Sequence, residues 1–140
     1  MLELHATSFS VVQIFADPSA LDALSDIHRV APDEAMMVGD PAVAPAVHVE
    51  DPDAVVIDAS DGWAVFTLVG DQAHEGFALL SALELPVEGY TQGDVAHLPV
   101  RVIVEHDRLH LLVAAMWGTH LRGRILDRCA SIDIREVDPS

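Results

Sequence analysis

Either side of His106-Asp107, apolar residues recur at every second position. Ala96, Leu98, Val100, Val102 and Val104 alternate with His97, Pro99, Arg101, Ile103 and Glu105. Leu109, Leu111 and Val113 then alternate with His110, Leu112 and Ala114. A period of two marks strands with a buried face. A two-residue turn at His106-Asp107 folds them into a hairpin that pairs Val104 with Leu109, Val102 with Leu111 and Val100 with Val113. Every core-facing pair is then apolar, and Glu105 lies opposite Arg108 as an opposite-charge pair. A slip of one residue would turn the whole apolar set outward, so the register is specified.

The hairpin implies a sheet, and the flanking sequence supplies its company. Residues 8–15 (SFSVVQIF), 54–57 and 63–69 (WAVFTLV) are rich in β-branched and aromatic types and read as strands, as does the short apolar run 35–38 closed by Gly39. Along 63–69 apolar residues occupy both faces, which predicts a central strand covered on two sides. Asp17 and Pro18 predict the start of a helix over about 19–27. Asp71, after Gly70, is the expected N-cap of a helix to about Leu83, with Ala73, Phe77 and Leu80 at helical spacing. A final helix over about 117–130 aligns Trp117, Leu121, Ile125 and Cys129 on one stripe. Two strand–strand–helix passages predict an α+β fold with a largely antiparallel sheet. The length of 140 residues suits one domain spanning 1–140, or two closely packed halves. Residues 40–53 (DPAVAPAVHVEDPD) are the best surface-loop or linker candidate.

Charge narrows the partners. Acidic residues number 23 against 7 basic ones, a net charge of −16, and every base is Arg. Residues 1–100 hold 17 of the acids and one base, Arg29, whereas residues 101–140 are balanced. Such a field repels nucleic acid and anionic bilayers. The absence of Lys excludes Schiff-base chemistry and a P-loop lysine. No apolar run approaches the roughly 20 residues of a membrane helix. The N-terminal residues do not resemble a secretory signal, and the single Cys129 suits a reducing cytosol. The expected location is therefore cytoplasmic.

The chain offers little chemistry. Its eight His show no metal-ligand spacing, and the hairpin register holds His97 and His110 about 20 Å apart. Cys129 sits on an apolar stripe, as a buried structural thiol does. There is no G-x-S-x-G and no G-x-G-x-x-G after a strand. Carboxylate pairs such as Asp58/Asp61 are explained by turn capping. No metal site, catalytic residue or bound cofactor is expected of this chain.

One stretch carries a resemblance. Residues 55–70 (VVIDASDGWAVFTLVG), continuing as DQAHEGFALLSALEL, resemble the gamma subunit of heterotetrameric sarcosine oxidase. That family is itself similar to part of the folate-binding aminomethyltransferase fold. Asp58-Ala59-Ser60, Gly70, Ala73, Leu79, Leu80 and Leu85 stand where the family has its Asp-x-Ser, strand-ending Gly, small residues and Leu-rich helix end. Ala31-Pro32-Asp33-Glu34-Ala35-Met36 resembles the family's Gly-Pro-Asp-Glu-Trp-Leu. Residues 102–110 lack the Gly-Gly-x-x-Asp-Asp-type stretch that serves aminomethyltransferase catalysis, so the resemblance implies the fold without the folate chemistry. It further implies a non-catalytic small subunit of a flavoenzyme complex that oxidatively demethylates sarcosine to glycine. FAD, FMN, NAD and tetrahydrofolate would belong to the larger partner subunits.

Two alternatives stand beside this. A stand-alone folate or small-ligand binder of the same fold would use Asp58, Trp63 and Tyr90, one carboxylate and two stacking surfaces. An unrelated stress or scaffold protein is the other. For a subunit, the expected contact is the second face of the hairpin, with Arg101, Ile103, His110 and Leu112, together with Arg122, Arg124 and Arg128. Arg favours interfaces because its planar fork pairs with carboxylates. The competing expectation is that the chain covers this face itself and that its arginines pair locally.

Overall fold

The structure, a computed structural model, describes residues 1–43 and 47–137. The chain forms two compact units, Ser8–Asp61 and a second built from residues 1–7 with everything from Gly62 onward. The limits of the two units fall at 7/8 and 61/62, and residues 40–53 lie inside the smaller one. That loop carries no strand or helix among the described residues, and its residues 44–46 lie outside them.

In chain order the elements are β1 (Leu2–Thr7), β2 (Ser10–Phe15), α1 (Pro18–Asp22), β3 (His28–Ala31), β4 (Glu34–Gly39) and β5 (Val55–Asp58). There follow β6 (Trp63–Val69), α2 (Ala73–Leu80), β7 (Gly89–Val95), β8 (Leu98–Val104), β9 (Arg108–Ala114), α3 (Gly118–Arg128) and β10 (Ile134–Val137). The larger unit holds a six-stranded sheet in the order β10-β1-β6-β9-β8-β7, antiparallel except for the β1–β10 pair. The smaller unit holds an antiparallel sheet, β3-β4-β2-β5. The fold is α+β with largely antiparallel sheets, as the pattern predicts.

The hairpin is β8–β9, in the expected register: Val104 with Leu109, Val102 with Leu111 and Val100 with Val113. The Glu105 amide donates to the Arg108 carbonyl at 3.0 Å and closes the turn. These residues join Leu2, Leu4, Phe66 and Leu68 in one core, which α2 covers with Ala73, Phe77 and Leu80, and α3 with Leu121, Ile125 and its C-cap residue Cys129. Strand β6 is central, and Val65, Phe66, Thr67 and Leu68 are all buried. In the smaller unit, Val12, Ile14, Leu21 and Ala35 form a separate core.

Three expectations are corrected locally. Asp71 does not cap α2, because the chain's own amino terminus engages it at 2.6 Å and holds its carboxyl below the usual range. The N-cap residue is Gln72, whose side chain makes no cap bond. Helix α1 has its Asp17 cap and Pro18 start but ends at Asp22, with Asp26 in the left-handed region at φ 58°. Trp117 leaves the apolar stripe, since it lies in a tighter turn before α3, where the 3.6-residue period does not hold. Strands β1, β3, β7 and β10 are additions to the sequence reading.

Candidate functional site

The two stacking candidates, Trp63 and Tyr90, do not converge. In the larger unit, Trp63 pairs with Ala114 at one end of β6. Tyr90 shares a rung with Ile103, His110 and Thr67, four residues along β6 and three strands away. That separation is about 20 Å. The Tyr90 hydroxyl is engaged by Gln92 Oε1 at 2.5 Å. One face of the Trp63 ring is taken by Arg101, whose guanidinium carbon lies 4.5 Å from the ring centroid. Two stacking surfaces this far apart do not sandwich a pterin. Asp58 belongs to the smaller unit, where it ends β5 and accepts from Ser60 Oγ (2.7 Å) and the Ser60 amide (3.0 Å). Those bonds hold its carboxyl below the ordinary range and account for it as a turn cap.

The proposed contact face is corrected. Ile103, His110 and Leu112 are 5%, 5% and 0% exposed, so the chain itself covers them. The physical reason lies in the sequence: a strand apolar on both faces is an interior strand of a layered fold. Three of the four arginines also find partners at home. Arg101 covers Trp63, Arg122 pairs with Glu136 at 2.6 Å and Arg124 donates to the Ala96 carbonyl at 2.5 Å. Arg128 borders a recess of ≈ 380 Å³ with Leu80, Leu83, Ser81, Asp94 and His97. Its Ser81 hydroxyl is already spent on the Asp94 carbonyl at 2.6 Å.

Sequence reasoning missed the buried polar constellation found among the described residues. Thr67 Oγ1 lies 2.7 Å from Thr7 Oγ1 and 2.8 Å from His110 Nδ1, and His110 Nε2 lies 3.2 Å from Glu105 Oε1. Hydroxyl, imidazole and carboxylate in series resemble the connectivity of a nucleophile, base and orienting acid. Burial decides against catalysis, because Thr67 is 3% exposed at mid-strand with its hydroxyl shared between two partners. The string satisfies polar groups inside the sheet, as buried groups require. Cross-strand pairing of Thr67 with His110 is the signal that would have revealed it, but needs the β6–β9 register.

Cys129 is buried, its thiol is pushed up by burial, and its Sγ lies 3.5 Å from the Gly76 carbonyl. Reactivity needs the thiolate, so this cysteine packs. No cluster of three or more His, Cys, Asp or Glu side chains able to hold a metal occurs among the described residues. No helix among them is long and apolar enough to cross a membrane.

No family model and no curated protein matches the sequence. Among solved structures, a chain of the heterotetrameric sarcosine oxidase from Corynebacterium sp. U-96, in complex with pyrrole 2-carboxylate, is similar with a TM-score of 0.76. The match covers 97% of this chain and 87% of that chain at 16% identity. A protein from Agobacterium tumefaciens aligns over 99% of this chain and 94% of that one, at 18% identity and a TM-score of 0.44. The first likeness shows that the fold is that of a sarcosine oxidase chain, as the motifs of residues 55–70 imply.

Proposed function

We propose that the chain is a non-catalytic, gamma-type small subunit of a heteromeric flavoenzyme complex of the sarcosine oxidase kind. The observation that carries this reading is the near end-to-end likeness to one chain of such a heterotetramer, 97% of this chain against 87% of that one. A domain embedded in a much larger catalytic subunit would cover a small share of its match. The site geometry is consistent with this reading. Asp58 is held in a turn by Ser60, one face of Trp63 is taken by Arg101, and the Tyr90 hydroxyl is engaged by Gln92.

In this reading the larger subunits carry FAD, FMN, NAD and tetrahydrofolate, and the complex oxidatively demethylates sarcosine or a related N-methylated amine in the cytoplasm. This chain contributes assembly, packing against the folate-binding part of the largest subunit. The experiment is co-expression of the tagged chain with its genomic neighbours, followed by affinity purification. A co-purifying flavoprotein with amine oxidase activity is expected. Purification of the chain free of any flavoprotein would sink the proposal.

A further inference from the structure

Strand β5 is the outermost strand of the four-stranded sheet, and no strand pairs with its far edge among the described residues. Its hydrogen-bonding phase can be read from one end. The Ala59 amide donates to the Val11 carbonyl at 2.8 Å, and the Val11 amide donates to Ser60 Oγ at 2.9 Å. Val11 and Ala59 therefore turn their main-chain groups toward each other. Alternation along the ladder directs those of Ile57 and Val55 toward β2 as well. The N–H and C=O groups of Val56 and Asp58 then point outward.

The side chains on this edge are apolar on both faces. Val55, Val56 and Ile57 are 44–49% exposed, and Phe15, paired with Val55, adds a 36% exposed ring. Natural edge strands are ordinarily blunted by Lys, Pro, a bulge or a cover. Residues 55–57 (VVI) carry neither charge nor Pro and their pairing with β2 has no bulge; the one charge, Asp58, stands at the strand's end. Outward main-chain groups at strand pitch, between two apolar faces, are the features that added strands recognise.

Charge selects the occupant. Asp53 precedes β5 and Asp58 closes it, with Asp51 and Asp61 beyond each end. Residues 8–61 hold eleven carboxylates against one base, Arg29. Arg29 lies on β3, at the opposite edge of the sheet, and is paired with Asp22. Three strand spacings amount to about 14 Å, beyond the Debye length of about 8 Å at physiological ionic strength. The carboxylates at β5 thus keep their field. A second copy of this chain would bring the same carboxylates to the same edge and be repelled.

We infer that the β5 edge docks an extended segment of another protein, β-branched or apolar along its length and basic at its ends, which adds as a fifth strand. The inference rests on the edge itself and stands apart from the identity of the complex. The test uses the full chain labelled with 15N and two synthetic probes at millimolar concentration. One is the capped peptide Arg-Thr-Val-Thr-Val-Thr-Arg, and the other carries Glu at both ends. The basic probe is expected to slow amide exchange at Val56 and Asp58 by about fivefold or more, leaving the already bonded Val55 and Ile57 amides unchanged. The acidic probe should leave all four unchanged. Val56→Pro removes an outward N–H without touching the β2 ladder, so it should keep the fold and lose the protection at Asp58. Val56→Lys, the second variant, should weaken the probe's effect by charge alone. Equal protection by both probes, protection by neither, or protection in the probe-free chain that vanishes on dilution would overturn the inference.

Discussion

The Arg101 guanidinium lies over the Trp63 indole, 4.5 Å from its centroid, and joins β8 to β6 across the intervening β9. A cation over an aromatic face is worth about 0.5–1 kcal/mol at a partly exposed site. A double-mutant cycle with Arg101→Met and Trp63→Leu, followed by urea unfolding, should return a coupling of that size. A coupling indistinguishable from zero would remove this contact from the account of the sheet.

Thr67 Oγ1 is one of the partners that hold the His110 ring inside the chain. Thr67→Val keeps the shape and removes the hydroxyl that His110 Nδ1 engages. The expected loss is about 1–3 kcal/mol. Thr67→Ser retains the hydroxyl and should lose less than the Val variant. Equal unfolding midpoints for the two variants would contradict the role given to the string.

Ile103 faces the chain's own interior at 5% exposure. Ile103→Asp should therefore cost about 3–5 kcal/mol, the usual penalty of an uncompensated buried charge, and a thermal melt of the isolated variant should show it. A melting temperature within a few degrees of the parent would return this residue to the list of partner contacts.

Two glycines should respond with opposite signs. Gly70 ends β6 at φ 123°, and a Cβ there would meet the Met1 carbonyl oxygen at 2.3 Å. Gly70→Ala should destabilise by about 1–3 kcal/mol. A Cβ on Gly123, inside α3, meets nothing within 4 Å. Gly123→Ala should stabilise by roughly 0.5–1 kcal/mol. Chemical denaturation of both variants checks the pair.

Local pattern revealed those elements whose partners lie close in sequence. The β8–β9 hairpin was legible to the residue because its alternation and its turn lie within one short stretch. Strand β1 also alternates, with Leu2 and Leu4 buried, yet it pairs with β6 and β10, some 60 and 130 residues away. Nothing near residues 2–7 announces those partners. Strand β7 (GYTQGDV) and strand β10 (IREV) are polar edge strands, which take their conformation from the ladder more than from their own side chains. The fate of Asp71 was decided by Met1, 70 residues upstream, which no capping rule sees. The same blindness explains the misplaced contact face. Ile103 and Leu112 signalled an apolar second face, and only the full topology shows that the chain buries it. The Thr67–His110 contact needed the β6–β9 register, a long-range fact.

The central claim is that this chain exists to be held in a larger flavoenzyme assembly, and native mass spectrometry of the tagged chain co-expressed with its genomic neighbours tests it most directly. The account predicts an assembly in which the 15.1 kDa chain is bound to a larger, flavin-bearing subunit. A spectrum showing the chain only by itself, or only in homo-oligomers free of flavoprotein, would contradict it.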